Sequence, residues 1–223
     1  MSRRIEPVSA ELLAERVAGF VLARAELLTA AAARGQAVGE QQNGVPVRLL
    51  VDGHPSTHPE RLADALVVPI EAAGRPAARV SVSDFLRPRS LRLERGRADP
   101  DSLLDDWIDV GALNREVLTR VVGRGEYLPS LRDPVTDRAT RADYLDAAAG
   151  TVVVLDGVLA IGRGLAVDIA VHLALKPATL RRRTPSDEMW AVPAYERYAQ
   201  EIDGVPDLVV RIDHPDHPAL ESA

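Results

Sequence analysis

The sequence predicts a doubly wound α/β fold, with a parallel five-stranded sheet and flanking helices. Five short runs rich in β-branched residues suit strands that are buried on both faces. Helical patterns separate these runs, and such alternation is typical of parallel sheets. The predicted strands cover residues 47–51, 78–82, 151–155, 167–175 and 208–212. The predicted helices between them cover residues 59–73, 100–118, 177–183 and 193–201.

A further helix is predicted at the N-terminus. Apolar residues recur at helical spacing over residues 9–33, and Ser9 is a suitable N-cap. Residues 35–44, rich in Gly, Gln and Asn, have no apolar period and are predicted to be a linker. The chain therefore divides into residues 1–46, a helix with its linker, and residues 47–223, the α/β domain. We expect the helix either to pack over the sheet or to form a homodimer contact.

Composition restricts the classes of function. The chain has 223 residues with 46% hydrophobic content, which is ordinary for a globular protein, and it has no cysteine, which excludes disulfides. Its net charge is −6 and its basic residues are mixed with acidic ones, so we expect no nucleic-acid partner. The N-terminal apolar stretch is interrupted by Glu11, Glu15 and Arg16, so we expect no signal peptide and no membrane partner. These features predict a cytoplasmic protein.

Three segments suggest a known arrangement. The first strand ends in Val51-Asp52-Gly53 and leads through a short loop into a helix, which is the frame of a P-loop. The second strand leads into Val82-Ser83-Asp84-Phe85-Leu86-Arg87-Pro88, and the third ends in Leu155-Asp156-Gly157. On these residues the chain resembles the uridine kinase family of P-loop nucleoside kinases, from about residue 47 to the C-terminus. The resemblance implies a P-loop NTPase-like fold, ATP or GTP with Mg²⁺ as cofactors if the protein is active, and a nucleoside-like ligand.

The phosphate-loop equivalent departs from the family pattern G-x-x-x-x-G-K-[ST]. Counted from Gly53, its last three positions hold His58, Pro59 and Glu60 instead of glycine, lysine and a hydroxyl residue. The lysine normally balances phosphate charge, the hydroxyl ligates Mg²⁺, and proline removes an amide from the phosphate nest. We therefore interpret the Walker A motif as degenerate. The equivalent segment comprises Gly53, His54, Pro55, Ser56, Thr57, His58, Pro59, Glu60 and Arg61.

The same loop also fits a capping box. Thr57 would be the N-cap of the following helix, Pro59 would lie in its first turn, and Glu60 would reach back to a free amide. We therefore expect the loop to close over itself where an anion would otherwise bind.

The resemblance implies catalytic and substrate-binding positions after the second strand. Ser83 stands where the family has the aspartate that receives the proton of the substrate hydroxyl. Asp84 is one residue away and would face the opposite side of an extended strand. It can substitute only if the strand has already ended; otherwise it is a cap or turn residue. Phe85 and Arg87 are implied to bind substrate.

Four further substrate and metal positions are implied downstream. Asp106 and Trp107 resemble the acidic and aromatic helix beside the nucleoside pocket, although without the resemblance the stretch is simply an acidic helix start with a core tryptophan. Tyr127 falls where the family has a substrate-side hairpin. Asp156 has the Walker B placement, which orients Mg²⁺, or it belongs to a plain Asp-Gly turn.

The remaining cations raise two further questions. Arg181, Arg182 and Arg183 resemble the family's lid, and Lys176, which precedes them, is the only lysine of the chain. Lys176 or Arg61 could replace the missing loop lysine, although arginine does not reproduce a compact ammonium charge. Two histidine pairs, His54 with His58 and His214 with His217, have a spacing that zinc sites use, but neither has a third ligand nearby.

Three functions follow from these patterns. The first is a protein of kinase ancestry that has lost or altered its activity. The second is a non-catalytic relative that senses a small molecule or binds a protein. The third is an active uridine kinase that uses Arg61 or Lys176. Loss of the loop lysine, its hydroxyl and the catalytic aspartate together removes both positioning and charge, and therefore favours lost or altered chemistry.

Overall fold

The computed structural model describes residues 4–34, 44–214 and 217–222 of the chain. Its main feature is a seven-stranded sheet with helices on both faces, and a separate two-stranded hairpin lies beside it. The predicted linker 35–44 lies outside the described residues except for Gly44. The strands are β1 (Arg4–Pro7), β2 (Val47–Gly53), β3 (Ala77–Ser81), β4 (Glu126–Tyr127), β5 (Leu145–Asp146), β6 (Val152–Gly157), β7 (Ile169–Ala174), β8 (Leu208–Arg211) and β9 (Ala219–Ser222).

The large sheet has a parallel part and an antiparallel edge. β3, β6, β2, β7 and β8 are parallel neighbours in that order, so the predicted doubly wound parallel sheet is confirmed. β9 runs antiparallel to β8, and β1 runs antiparallel to β9. The sequence analysis did not predict these two strands, because each has only four residues and neither contains a continuous apolar run.

The helices cover the sheet in short and long pieces. Within the described residues, none of them combines the length and apolar character that crossing a bilayer needs. Tight 3₁₀ turns form at Pro55–Thr57, Val82–Phe85 and Ser186–Ala191, and a π-helical segment forms at Asn114–Leu118. The α-helices are α1 (Ala10–Arg34), α2 (Pro59–Ala72), α3 (Arg89–Arg92), α4 (Pro100–Asp105), α5 (Val110–Leu113), α6 (Thr119–Arg124), α7 (Pro177–Arg183) and α8 (Val192–Glu201).

One helix that was predicted to be continuous is two helices in the structure. The helix expected over residues 100–118 stops at Asp105, and a second helix begins at Val110. The Asp109 carboxylate accepts the amide of Ala112 at 2.8 Å and thereby caps α5. Ile108, just before this cap, forms an isolated β-bridge with Leu86, which interrupts the helical path between α4 and α5. The acidic stretch therefore begins two helices: Asp99 caps α4, where its carboxylate accepts the Ser102 amide at 2.8 Å, and Asp109 caps α5.

The sheet separates two apolar clusters. In β2, Leu49 and Val51 belong to the cluster that contains α1 and α2, whereas Leu50 belongs to the cluster with the helices of the other face. This alternation follows from the two-residue period of a strand. Val17 and Val21 of α1 are fully buried in the first cluster, so the N-terminal helix packs over the sheet, which is one of the two placements expected for it.

The carboxyl ends of three adjacent parallel strands, β2, β6 and β3, meet at one edge of the sheet. Asp52 is in register with Gly157, and Ser81 is in register with Asp156. The loop after β2, the turn after β3 and the end of β6 therefore lie together. In doubly wound sheets this edge is where ligands bind.

Candidate functional site

The loop after β2 has the shape of a tight turn. Pro55–Thr57 forms one 3₁₀ turn, and His58 then adopts a left-handed conformation with φ 54° before α2 begins. Gly53 is required at the start of this turn, because a Cβ there would lie 2.5 Å from Thr57 Oγ1 and 2.8 Å from Leu173 Cβ. The turn therefore packs directly on β7.

The backbone amides of this turn bond inside the turn. The Ser56 amide donates to the His54 Nδ1 at 3.1 Å, and the Thr57 amide donates to the His54 carbonyl at 2.8 Å. The His58 amide donates to the Pro55 carbonyl at 3.0 Å. Pro55 and Pro59 have no amide hydrogen. Because a phosphate nest needs amides that are free to converge on an anion, these five positions offer it none.

The predicted capping box is wrong. His58, not Thr57, is the N-cap residue of α2, and it makes no side-chain cap hydrogen bond. The Thr57 hydroxyl instead donates to the His54 carbonyl at 2.7 Å, and the Glu60 carboxylate lies 3.0 Å from His58 Nδ1. Thr57 is held within the preceding 3₁₀ turn, so its side chain cannot reach the first amides of α2.

The His54 imidazole fills the interior of the turn. It is 6% exposed and packs edge-on against the Tyr195 ring, with 4.5 Å between the ring centroids. Burial, and then the nearby Arg183 charge, lower the pKa of His54 to about 4. The ring is therefore neutral near neutral pH. Since its Nδ1 accepts the Ser56 amide, its proton is on Nε2, which lies 3.3 Å from the Thr184 hydroxyl.

Asp156, the predicted Walker B residue, is held by protein donors. Its Oδ1 accepts from Arg79 Nη2 at 2.8 Å, and its Oδ2 accepts from the Ser81 hydroxyl at 3.0 Å. Arg79 also donates to Asp64 Oδ1 at 2.8 Å and to the Val154 carbonyl at 3.0 Å. A guanidinium therefore already balances this buried carboxylate. With Glu60 in place of the hydroxyl ligand, these residues do not fit the donor set of a kinase Mg²⁺ site.

The turn after β3 brings Asp84 towards Asp156. The strand ends at Ser81 and Val82–Phe85 forms a 3₁₀ turn, so the condition under which Asp84 could take the role of the missing aspartate is met. Burial raises the pKa of Asp84, and the Asp156 and Asp133 carboxylates raise it further, while a hydrogen bond from Ser130 opposes the shift. Two carboxylates thus lie close enough to repel each other.

A cavity of about 450 Å³ lies between this turn and the loop after β2. Of the predicted site residues, it brings together Ser83 and Asp156 with the aromatic side chain of Trp107 and with the loop residues Pro55, Pro59 and Glu60. The other lining residues are Ser81, Val82, Leu86, Leu103, Ile108, Gly157, Val158 and Leu159. The cavity therefore combines apolar walls with a few hydroxyl and carboxylate groups, as small-molecule sites do.

Four of the predicted substrate residues do not line the cavity. Phe85 is fully buried and Tyr127 is 8% exposed, and both belong to the apolar cluster beneath the cavity. Arg87 donates to the Asp106 carbonyl at 3.3 Å, and their charged groups are 3.7 Å apart. Arg87 and Asp106 therefore hold each other beside the cavity rather than lining it.

The predicted lid residues also lie away from the cavity. Arg181 forms two hydrogen bonds to the Glu196 carboxylate, at 2.8 Å and 3.0 Å, and so joins α7 to α8. Arg183 donates to the Asp213 carbonyl at 3.0 Å. Arg182 and Lys176 are exposed, and none of these four side chains lines the cavity. Arg61 is exposed as well and does not line the cavity.

A buried polar network behind the loop was missed by the sequence analysis. Asp52 is fully buried, its Oδ1 accepts the Ala160 amide at 2.8 Å, and its Oδ2 lies 3.0 Å from His172 Nδ1. The Tyr198 hydroxyl hydrogen-bonds to Asp52 and accepts the Ile161 amide at 2.8 Å. Burial, together with the Asp52 charge, raises the pKa of Tyr198. The sequence signal was an aspartate inside an apolar strand, which must find partners when buried.

Solved structures relate this arrangement to kinases. The chain is similar to a possible uridine kinase from Bacillus stearothermophilus, with a TM-score of 0.60, 16% identity and coverage of 85% of this chain and 98% of that chain. It is also similar to a putative fructose transport system kinase from Silicibacter sp. TM1040, with a TM-score of 0.53, 19% identity and coverage of 81% and 94%. A third similar structure is a D-glycerate 3-kinase from Cryptococcus neoformans var. grubii, with a TM-score of 0.52, 15% identity and coverage of 86% of this chain and 80% of that chain.

These similarities confirm the fold that the sequence resemblance implied. The chain has the fold of the uridine kinase-like P-loop kinases. No family model and no curated protein matches its sequence. Identities below 20% establish a common architecture and carry no statement about substrate.

Proposed function

We propose that this protein is a relative of the P-loop kinases that no longer transfers phosphate through the loop at residues 53–60 and instead binds a small molecule in the 450 Å³ cavity. The kinase ancestry rests on the shared fold. The observation that carries the proposal is the bonding of the loop, whose amides at Ser56, Thr57 and His58 donate to atoms of the loop itself. An incoming triphosphate would have to break these bonds, and it would meet Pro59 in place of the lysine and Glu60 in place of the hydroxyl residue.

The surroundings of Asp156, the residue in the Walker B position, support the same proposal. In a kinase, Mg²⁺ neutralises the developing charge on the phosphates. Here the carboxylate in the Walker B position is paired with Arg79, which supplies a fixed positive charge to it. A protein without the phosphate nest and without the metal that neutralises phosphate charge lacks the two main sources of transition-state stabilisation.

A nucleotide titration tests this proposal. A ligand present at about a hundred times its dissociation constant adds about 2.7 kcal/mol of stability, which shifts the melting temperature by several degrees in a chain of this size. We expect no shift with millimolar ATP or GTP in the presence of Mg²⁺. A clear shift, accompanied by phosphorylation of any member of a nucleoside panel, would overturn the proposal.

Asp84 favours a second candidate, an active phosphotransferase in which Arg61 or Lys176 replaces the loop lysine. Its carboxylate is brought beside Asp156 and its pKa is raised, as a general base for a substrate hydroxyl requires. This candidate predicts turnover that disappears in Asp84→Asn and in Arg61→Ala or Lys176→Ala. Turnover that survives in both cation variants would eliminate the replacement of the lysine by either residue.

A further inference from the structure

Resting on the proposed function, we propose that the cavity beside Trp107 selects a small organic cation with a flat apolar body, such as an arylalkyl amine. Three independent features of the cavity carry this inference: its size and apolar walls, the sign of the charges around it, and the state of its tryptophan.

The size and the walls define the body of the ligand. A cavity of about 450 Å³ lies in the range of small-molecule sites and holds a ring with a short side chain. Leu86, Leu103, Ile108 and Leu159 form much of its apolar lining. Burying a ring against such walls is favourable in proportion to the apolar area removed from water.

The charges define the sign of the polar group. Glu60 and Asp156 line the cavity, and no arginine or lysine lines it within the part of the chain that the structure describes. Asp84, next to the lining residue Ser83, adds a third carboxylate, and its interaction with Asp156 places both near the same wall. Two guanidinium groups contact lining residues, and each has carboxylate partners of its own. Arg79 is shared between Asp156 and Asp64, and Arg92, which lies over the Trp107 ring, is 3.6 Å from Asp137 Oδ1. The surroundings therefore carry more negative than positive charge and disfavour a phosphate or carboxylate group.

Trp107 provides a surface that is suited to a cation. The Arg92 guanidinium already lies over its ring, 5.0 Å from the ring centroid, so the ring accepts a cation contact in this environment. The buried indole Nε1 has no hydrogen-bond partner among the described residues. A ligand that carries an ammonium group would therefore interact with this ring more favourably than a simple hydrocarbon.

Three probes of similar shape separate charge from shape: 2-phenylethylamine, 2-phenylethanol and phenylacetate. Binding is measured by calorimetry and by the fluorescence of Trp107 in a Trp190→Phe variant, since these are the two tryptophans of the chain. We expect the amine to bind about tenfold more tightly than the alcohol, and phenylacetate to bind more weakly than either, because opposite charges attract and like charges repel at short range. Equal binding of the three, tightest binding of phenylacetate, or no binding of any would overturn the inference.

Substitutions locate the effect in the cavity. Glu60→Gln and Asp156→Asn each remove one carboxylate of the lining, and we expect either change to reduce the amine-to-alcohol preference severalfold. Glu71→Gln, an exposed position on the same helix that does not line the cavity, should leave the preference unchanged. A preference that survives both cavity variants would overturn the inference.

The outcome is separate from that of the nucleotide titration. Binding and turnover of ATP would remove the proposed function whatever the three probes do. Absence of charge selectivity, with no ATP binding, would remove the cation inference and leave the proposed loss of phosphoryl transfer in place.

Discussion

The loop after β2 and the opposite wall of the cavity differ in whether their polar groups hydrogen-bond to neighbouring protein atoms. In the loop after β2, the amides and side chains of His54, Ser56 and Thr57 bond to one another. Across the cavity, Ser83 is exposed and Trp107 has a polar atom without a partner among the described residues. The first region is built to hold itself together, whereas the second keeps groups that a ligand can use. Substitutions should therefore affect mainly stability on the loop side and mainly binding on the cavity side.

The largest effect is expected at Gly53. In Gly53→Ala the new methyl group would collide with Thr57 Oγ1 and Leu173 Cβ, and we expect a loss of about 2–3 kcal/mol in the free energy of unfolding, measured with urea. Gly19→Ala is the matched control, because a Cβ there has no neighbour within 4 Å and the site is inside α1. The control should gain about 0.5–1 kcal/mol. Equal effects at the two glycines would show that the loop is not tightly packed.

The next effect concerns pH. The pKa of His54 is lowered from 6.5 to about 4 in the folded protein, so the unfolded chain takes up a proton first as the pH falls. The contribution of neutral His54 to the free energy of unfolding is therefore complete above pH 6.5. It is lost as the pH falls towards 4, by up to about 3 kcal/mol. His54→Gln should show a smaller loss of stability across this window than the wild type. Parallel curves for the two proteins would mean that the imidazole is not buried as a neutral acceptor.

A smaller effect is expected at the ion pair beneath the cavity. Arg79→Met leaves the Asp156 carboxylate, which is 8% exposed, without its positive partner, and we expect a loss of about 2 kcal/mol in stability. Arg181→Met breaks an ion pair in which the arginine side chain is 60% exposed, and should cost less than about 1 kcal/mol. Urea unfolding of both variants measures the difference. A similar cost in both would mean that Arg79 is not the counter-charge of Asp156.

The smallest change in stability is expected on the cavity side. Ser83→Ala removes an exposed hydroxyl that lines the cavity and should change the free energy of unfolding by less than about 0.5 kcal/mol. The same variant should alter the affinity for 2-phenylethylamine, measured by calorimetry. If Ser83→Ala instead destabilised the protein as much as the loop variants do, the contrast between the two regions would be lost.

Much of the fold was predictable because burial leaves a direct trace in the sequence. The five parallel strands are continuous apolar runs, and the helices between them have apolar residues at regular spacing. β1 and β9 have no such run, since each is a four-residue strand that includes polar residues. The break at Trp107 was missed because helical spacing continues across it, while the Asp109 cap and the bridge from Ile108 to Leu86 interrupt the helix.

The sequence predicted several residues of the candidate site but not the residues with which they form hydrogen bonds and ion pairs. The sequence identified Asp84, Asp156 and the loop at residues 53–60, because their positions after strands follow from the fold. It did not identify Arg79 as the partner of Asp156, which is 77 positions away along the chain. It also assigned Thr57 a capping role that the hydrogen bond to His54 prevents.

The order of residues along the chain is enough to predict which segments are buried and which chemical groups follow each strand, since both are local properties. Which of these groups meet depends on how the strands and helices pack. His172 reaches Asp52 across 120 positions, and His54 reaches Thr184 across 130. Hydrogen bonds and ion pairs act over a few ångströms, so partners that are distant in sequence are set by the packing of strands and helices around them.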